Sequence, residues 1–302
     1  MQKIIFVLFL SFVLTQSTVF AGAWAQKKKG YYLKFSANYL LSNREFNHEG
    51  DELEIFEEQL AFIDASFQDF NITAYFEYGL FDRLTLIGNI PFKILTSKRS
   101  EVIGGDQISR ILTLYTVGFS DFTLSGKYAF FNGSFALSLQ GGIKIPLFYE
   151  PQPTNDGAPL GTADADIEGF ILLGKSLYPL PVYINSGFGY RYRDGPLHDQ
   201  ILFNLEAGFA IDRFLLKVVF DGLQSTVTPP DIFGQEVVTP LPGGGGVLPN
   251  IIVGDQDIFK ISPSLIYNAA DWLSFQGEIL HTIAGKNTVA GTVYSFGVVF
   301  FQ

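Results

Sequence analysis

The sequence predicts an all-β chain, a 12-stranded antiparallel up-and-down transmembrane β-barrel that follows a cleaved signal peptide. Three observations carry that prediction. Apolar and polar residues alternate over a series of short stretches, which only strands turn into two faces. The links between these stretches alternate between short and long, and aromatic residues crowd beside the short ones.

The alternation is sharpest between Thr116 and Leu147. Phe122, Leu124, Gly126, Tyr128 and Phe130 lie on one face of the first arm, with Asp121, Thr123, Ser125 and Lys127 on the other. After Asn132-Gly133-Ser134 the apolar set becomes Phe135, Leu137, Leu139, Ile143 and Ile145, with Ser138, Gln140 and Lys144 between them. This reads as an antiparallel hairpin that supplies the fourth and fifth strands.

Residues 1–25 read as a secretory signal: Lys3, then the apolar run Ile4 to Val13, then Ala21-Gly22-Ala23 or Ala23-Trp24-Ala25 as the cleavage site. The domain proper is expected over 26–302. Its first strand starts near Tyr31, where Tyr31, Leu33, Phe35, Ala37 and Tyr39 alternate with polar residues. The second runs from Gln68 to Leu80 and the third from Leu84 to Ile94. Beyond the hairpin come Asp166–Leu177, Val182–Arg193, Ile201–Ala210, Phe214–Gln224, Ile258–Asn268, Trp272–Thr282 and a last strand from Val289.

Links after the even-numbered strands are two to five residues long, whereas most of those after odd-numbered strands (41–67, 96–115, 148–165, 194–200, 225–257 and 283–288) are long. An up-and-down barrel puts all tight turns at one rim and all large loops at the other, as outer-membrane barrels do. A Greek-key sandwich has no reason to alternate so strictly. Tyr78, Phe81, Tyr128, Phe130, Phe131, Phe135, Tyr178, Phe209, Phe214, Tyr267, Trp272 and Phe300 sit beside the short turns, the place of an interfacial girdle. An even strand number lets the last strand pair with the first and leaves no open edge in lipid.

Composition agrees with this reading. Charged residues make up 17% of the 302 residues, below the usual share of about 25%, while 31 Phe and 14 Tyr exceed what a soluble core requires. With no cysteine, disulfide scaffolds, thiol catalysis and cysteine metal sites are excluded. A formal net charge of −10 disfavours nucleic acid as a partner.

If the apolar positions face lipid, the alternate ones face a lumen, and there stand Lys34, Glu77, Lys93, Lys127, Lys144, Glu168, Arg191, Arg193, Glu206, Lys217, Lys260 and Glu278. So many charges must pair across a small interior or line a wet channel. The mixed signs predict no strong preference for anions or cations. Leu53, Phe56, Leu60 and Ile63 have helical spacing in the acidic first long link, so residues 48–63 are expected to form either an amphipathic helix that folds inward as a constriction or a solvated loop. Gly243 to Gly246 give the 226–257 link a flexible tip, with no Lys-Ser/Thr pair after it to cradle a phosphate.

Catalytic and metal-binding inventories are thin: His48, His198 and His281 are the only histidines, and neither Gly-x-Ser-x-Gly nor His-Glu-x-x-His occurs. Asp51, Glu52 and their neighbours lack the spacing of a divalent-cation loop. No cofactor, no metal and no enzymatic activity are expected.

Several of these stretches together resemble the bacterial outer-membrane transporter family linked to the MetA pathway of phenol degradation. The resemblance rests on Gly118-Phe119-Ser120-Asp121-Phe122-Thr123-Leu124 with Lys127-Tyr128, on Gly142-Ile143-Lys144-Ile145-Pro146, and on Leu160-Gly161-Thr162 with Asp164-Ala165-Asp166. Leu173-Gly174-Lys175-Ser176, Gly187-Phe188-Gly189-Tyr190-Arg191 and the Glu77-Tyr78-Gly79-Leu80-Phe81-Asp82-Arg83-Leu84 turn complete it, over about residues 65 to 300. It implies a barrel and uptake of small, often aromatic, compounds, and it carries over no binding residue. The chain departs from the pattern at its end, where Gln302 follows Phe300 and Phe301 in place of a terminal aromatic residue.

The expected function is passive passage of small molecules, aromatic or hydrophobic ones included, through the outer membrane of a Gram-negative bacterium. The alternative is a closed structural barrel whose outer loops bind a surface partner, and behind both stands a lipid-modifying barrel with His281 as its base. Expected partners are outer-membrane lipid, a small-molecule solute and, during insertion, the barrel-assembly machinery.

Overall fold

The computed structural model describes residues 22–55, 57, 62–103, 107–150, 157–195, 197–229 and 255–302. Sixteen strands occupy them: β1 (Tyr31–Ser42), β2 (Arg44–Phe46), β3 (Glu52–Glu54), β4 (Phe62–Phe81), β5 (Leu84–Ile103), β6 (Gln107–Phe119), β7 (Asp121–Asn132), β8 (Phe135–Pro146), β9 (Asp166–Ser176), β10 (Val182–Arg193), β11 (Gln200–Ile211), β12 (Phe214–Ser225), β13 (Asp257–Ala270), β14 (Leu273–Lys286), β15 (Thr288–Ala290) and β16 (Thr292–Phe301). Every pairing is antiparallel, and β16 returns to pair with β1 from Tyr32↔Phe301 to Leu40↔Val293. Thirteen of the strands form this sheet, of which β6 and β7 run end to end along β5 as one stave. The wall is therefore a closed barrel of twelve staves.

The alternation seen in the sequence sorts the residues by face. Outward lie Phe35, Ile72, Leu139, Ile143, Ile171, Leu205, Leu216, Leu265 and Ile279, all exposed on the outer wall. Inward lie the buried Lys34, Glu77, Lys127, Ser138, Glu206, Lys217, Ser264 and Gln276. An apolar outside and a polar inside invert the ordinary globule and match a wall that contacts lipid. The aromatics beside the short turns are exposed on that outer wall, Phe81 at 61% and Tyr178 at 59%. Trp272 stacks on Phe300 at 6.2 Å, and Phe214 lies 5.1 Å from Tyr267 on the neighbouring stave.

Three departures from the sequence reading are local. First, β4 and β5 are 20 residues each, so the expected loop at 96–115 is mostly strand, paired from Phe92↔Phe119 to Ile103↔Gln107. Polar residues on both faces of that extension hide it from a two-faced pattern. Second, Glu52–Glu54 is a strand of a small sheet with β2 and β15, and Phe62–Ile63 belongs to β4. No helix covers residues 51–55 or 62–63, and residues 56 and 58–61 lie outside the described ones, as do Gly243 to Gly246. Third, the β5 partner register steps by one residue between Asn89↔Thr123 and Phe92↔Phe119, which makes a bulge at Ser120. Pro91, without an amide proton, stands opposite it and accepts from the Ser120 amide at 3.0 Å. The bulge turns both Ser120 and Asp121 toward the lumen.

Ile171 lies at the centre of β9 with its side chain outward. Ile171→Arg should destabilise the bilayer-inserted barrel by about 2–4 kcal/mol, read by reversible denaturant unfolding from lipid vesicles, with a smaller loss for an arginine placed near either rim.

Candidate solute path through the barrel

Inside the wall, strand register decides which charges meet. Lys127 on β7 reaches Glu77 on β4 across β5, at 3.8 Å. Lys217 on β12 meets Glu206 on β11 at 3.3 Å, and Lys34 on β1 meets Glu278 on β14 at 3.7 Å. Nearer the long-loop rim, Lys144 contacts Asp166 at 2.7 Å and Asp121 at 3.4 Å, and Arg193 lies 3.9 Å from Asp166. Arg191 joins Glu168 at 3.0 Å and Gln200 at 3.1 Å. Of the twelve charges read from the sequence, ten are ion-paired in this way, while Lys93 and Lys260 are in no ion pair among the described residues. Low local dielectric makes each of these pairs costly to break from one side only.

The lumen is not empty. At the short-turn rim the segment Gly22–Gln26 lies inside the barrel, with Ala23, Trp24, Ala25 and Gln26 buried. Several of its backbone groups, which a strand would pair in a ladder, are bound by the wall. Lys127 Nζ donates to the Gly22 carbonyl at 2.7 Å, Ser138 Oγ donates to the Ala23 carbonyl, and the Ala25 and Gln26 amides donate to Asn132 Oδ1 and Thr85 Oγ1 at 2.9 and 2.8 Å. Gln26 Nε2 donates to Glu77 Oε2 at 3.0 Å, so strap and ion pair share one network. Trp24 donates from Nε1 to the Gly133 carbonyl at 2.7 Å and packs edge-on to Tyr183 at 6.2 Å. A Cβ on Gly174 would stand 2.7 Å from the Trp24 ring, so glycine is what lets the indole lie flat on β9. Ala136, Phe170, Leu172, Leu202, Leu215 and Ile266 close an apolar cluster around it.

A second segment enters from the other end. Leu160, buried at 4%, packs on Leu95 and Phe67 within the lumen. Its carbonyl accepts from Ser120 Oγ and, at 3.3 Å, from Lys93 Nζ. Lys144 Nζ donates to Thr162 Oγ1 at 2.6 Å. Tyr149 donates to Asp121 Oδ1 and accepts from the Ala163 amide at 3.0 Å. Partial burial beside the Asp121 carboxylate pushes the Tyr149 hydroxyl above its ordinary range. The inward-facing bulge pair Ser120 and Asp121 thus holds Tyr149 and Leu160. For residues 48–63 the sequence leaves an inward constriction or a solvated loop open, and residues 56 and 58–61 lie outside the described ones; the described segments within the lumen are the one around Leu160 and the Gly22–Gln26 strap.

The three histidines do not converge. His281 is on the outer wall, 2.9 Å from Thr292 Oγ1. His198 contacts Asp255 at 2.7 Å at the long-loop rim, and His48 lies 3.9 Å from Glu49. No group of three or more potential metal ligands occurs among the described residues.

These features define the class: a closed outer-membrane-type barrel with a paired, charged lumen that two segments of its own chain enter. An outer membrane channel from Pseudomonas putida F1 is similar in structure, with a TM-score of 0.64 at 12% identity over 93% of this chain and 98% of that one. The NanC porin superposes more loosely, with a TM-score of 0.48 at 8% identity over 89% and 98% of the two chains. No family profile and no curated protein matches the sequence.

Because the Lys127 side chain is fully buried against Glu77, Lys127→Met should cost about 3–5 kcal/mol in unfolding from vesicles, the uncompensated carboxylate being the cause. Adding Glu77→Gln should recover part of that loss, which a double-mutant cycle measures.

Proposed function

We propose that this chain is an outer-membrane channel for passive uptake of small molecules, aromatic or hydrophobic ones among them, exported by a cleaved N-terminal signal. The observation that carries the proposal is the nature of the obstruction. At the short-turn end the lumen holds a five-residue strap that is bound to the wall through hydrogen bonds and is not part of the wall itself. The fold it shares with a channel and the resemblance to the phenol-linked transporter family support the same reading.

Deleting residues 22–26, or displacing the strap with Gly174→Leu, should raise single-channel conductance in planar bilayers and speed liposome swelling. Wild-type protein and both variants that stay equally non-conducting and admit no solute would overturn the channel reading.

We propose further that processing leaves Gly22 on the mature chain. Cleavage after Ala23 or Ala25, the sites read from the sequence, would remove the Gly22 carbonyl that Lys127 binds and the Ala23 carbonyl that Ser138 binds. Terminal sequencing of protein from outer membranes should start at or before Gly22; a start at Trp24 or Gln26 contradicts this.

A further inference from the structure

Lys93 and Lys260 stand apart from the rest of the lumen. Lys93 donates only to the Leu160 carbonyl, and Lys260 makes no ion pair or hydrogen bond among the described residues. Lys260 is in register with Asp221 on β12, yet the two side chains do not pair. Asp221 Oδ1 is buried without a hydrogen-bond partner. In the twelve-stave wall β13 lies five staves from β5 and four from β4, so Lys93 on β5 and Asp69 on β4 enter the lumen from the side opposite Lys260. Two lysines therefore project into one lumen with a carboxylate beside each, and none of the four is in an ion pair among the described residues.

The tier next to this one is apolar. Two residues further toward the long-loop rim, on the same inward faces, come Phe67, Leu95, Leu223 and Ile258, and Leu160 packs against the first two. On the short-turn side stand Asn71 and the buried Ser262, which are neutral. An apolar surface directly beside two unpaired ammonium groups fits a molecule with one charged end.

Resting on the channel reading, we propose that this tier is the solute-recognition site and that its ligand is a monocarboxylate with an apolar body. The carboxylate sits between Lys93 Nζ and Lys260 Nζ, where charge-assisted hydrogen bonds replace its hydration. The body lies against Phe67, Leu95, Leu160 and Leu223. Asp69 and Asp221 flank the carboxylate and repel a second negative charge, so dicarboxylates are disfavoured.

Calorimetric titration of the refolded full-length barrel in neutral detergent tests this, with benzoate, its neutral counterpart benzyl alcohol, and succinate as probes. Wild type should bind benzoate in preference to benzyl alcohol and to succinate. The double substitution Lys93→Gln and Lys260→Gln should weaken benzoate by about a hundredfold and leave benzyl alcohol unchanged, the loss expected for two charge-assisted hydrogen bonds. Asp221→Asn should act in the opposite direction and tighten benzoate, a gain that a merely structural role for this tier would not give. Lys98→Gln, on the exposed outer face, should change nothing. Equal affinity of wild type for benzoate and benzyl alcohol, or a benzoate preference that survives the double substitution, would overturn the site. A barrel that binds benzoate but passes no solute refutes the channel reading alone; one that conducts but ignores benzoate refutes this site alone.

Discussion

Backbone hydrogen bonding in a medium without water is the constraint on which this structure depends. Each unpaired amide or carbonyl in hydrocarbon costs several kcal/mol, so the wall must close on itself. The β1–β16 ladder does so over nine consecutive residue pairs, and with it every stave has two neighbours. Where the ladder lapses, a cause is visible. Between Ile261↔His281 and Ser264↔Glu278 the β13–β14 pairing is interrupted beside Pro263, which has no amide proton to give.

Closure has a consequence for the interior. Side chains alternate, so a wall greasy outside is polar inside, and a lumen of this size brings those polar groups within reach of one another. Most of the charges settle by pairing across neighbouring staves, and Glu77 shows how the pairing extends to the strap: it takes Lys127 from the wall, Tyr75 from its own strand at 2.7 Å and Gln26 from the strap. The same carboxylate thus stabilises the barrel and holds the obstruction. At the other end the bulge at Ser120 performs a comparable task, because a single extra residue turns Ser120 and Asp121 inward together. Between the two closures lies the tier of Lys93, Lys260, Asp69 and Asp221, where pairing stops.

The wall was legible in the sequence because a period of two is a direct record of two different solvents. Strands β7 to β14 were read to within a few residues, turns included. What was lost follows from the same logic. The outer halves of β4, β5 and β6 rise where both faces are polar or mixed, as at Ser97, Lys98, Arg99 and Ser100, so the pattern fades although the strands continue. Helical spacing of Leu53 and Ile63 is coincidental, since the two belong to β3 and β4. The strap was hidden for a different reason: Ala23, Trp24 and Ala25 carry small residues at the spacing of a cleavage site, and only three-dimensional contacts reveal that they pack under Tyr183 and against Gly174. Asp69 and Asp221 are lumen charges as well, each on the inward face of a strand that the sequence predicts. Pairing partners were also out of reach, because which lysine meets which carboxylate is set by stave order and stagger, not by local sequence.

The claim beneath all of this is that the first and last staves are neighbours in a closed wall. The chain has no cysteine, so a designed pair can be read without background. Tyr39→Cys with Tyr294→Cys places two thiols opposite each other in the β1–β16 register on the outer wall. Oxidation of the folded, lipid-inserted protein should join residues 39 and 294 within one chain, seen as a faster band for the heat-unfolded protein that reductant abolishes. Free thiols after oxidation, or bonds formed only between chains, would contradict closure and with it the enclosed lumen.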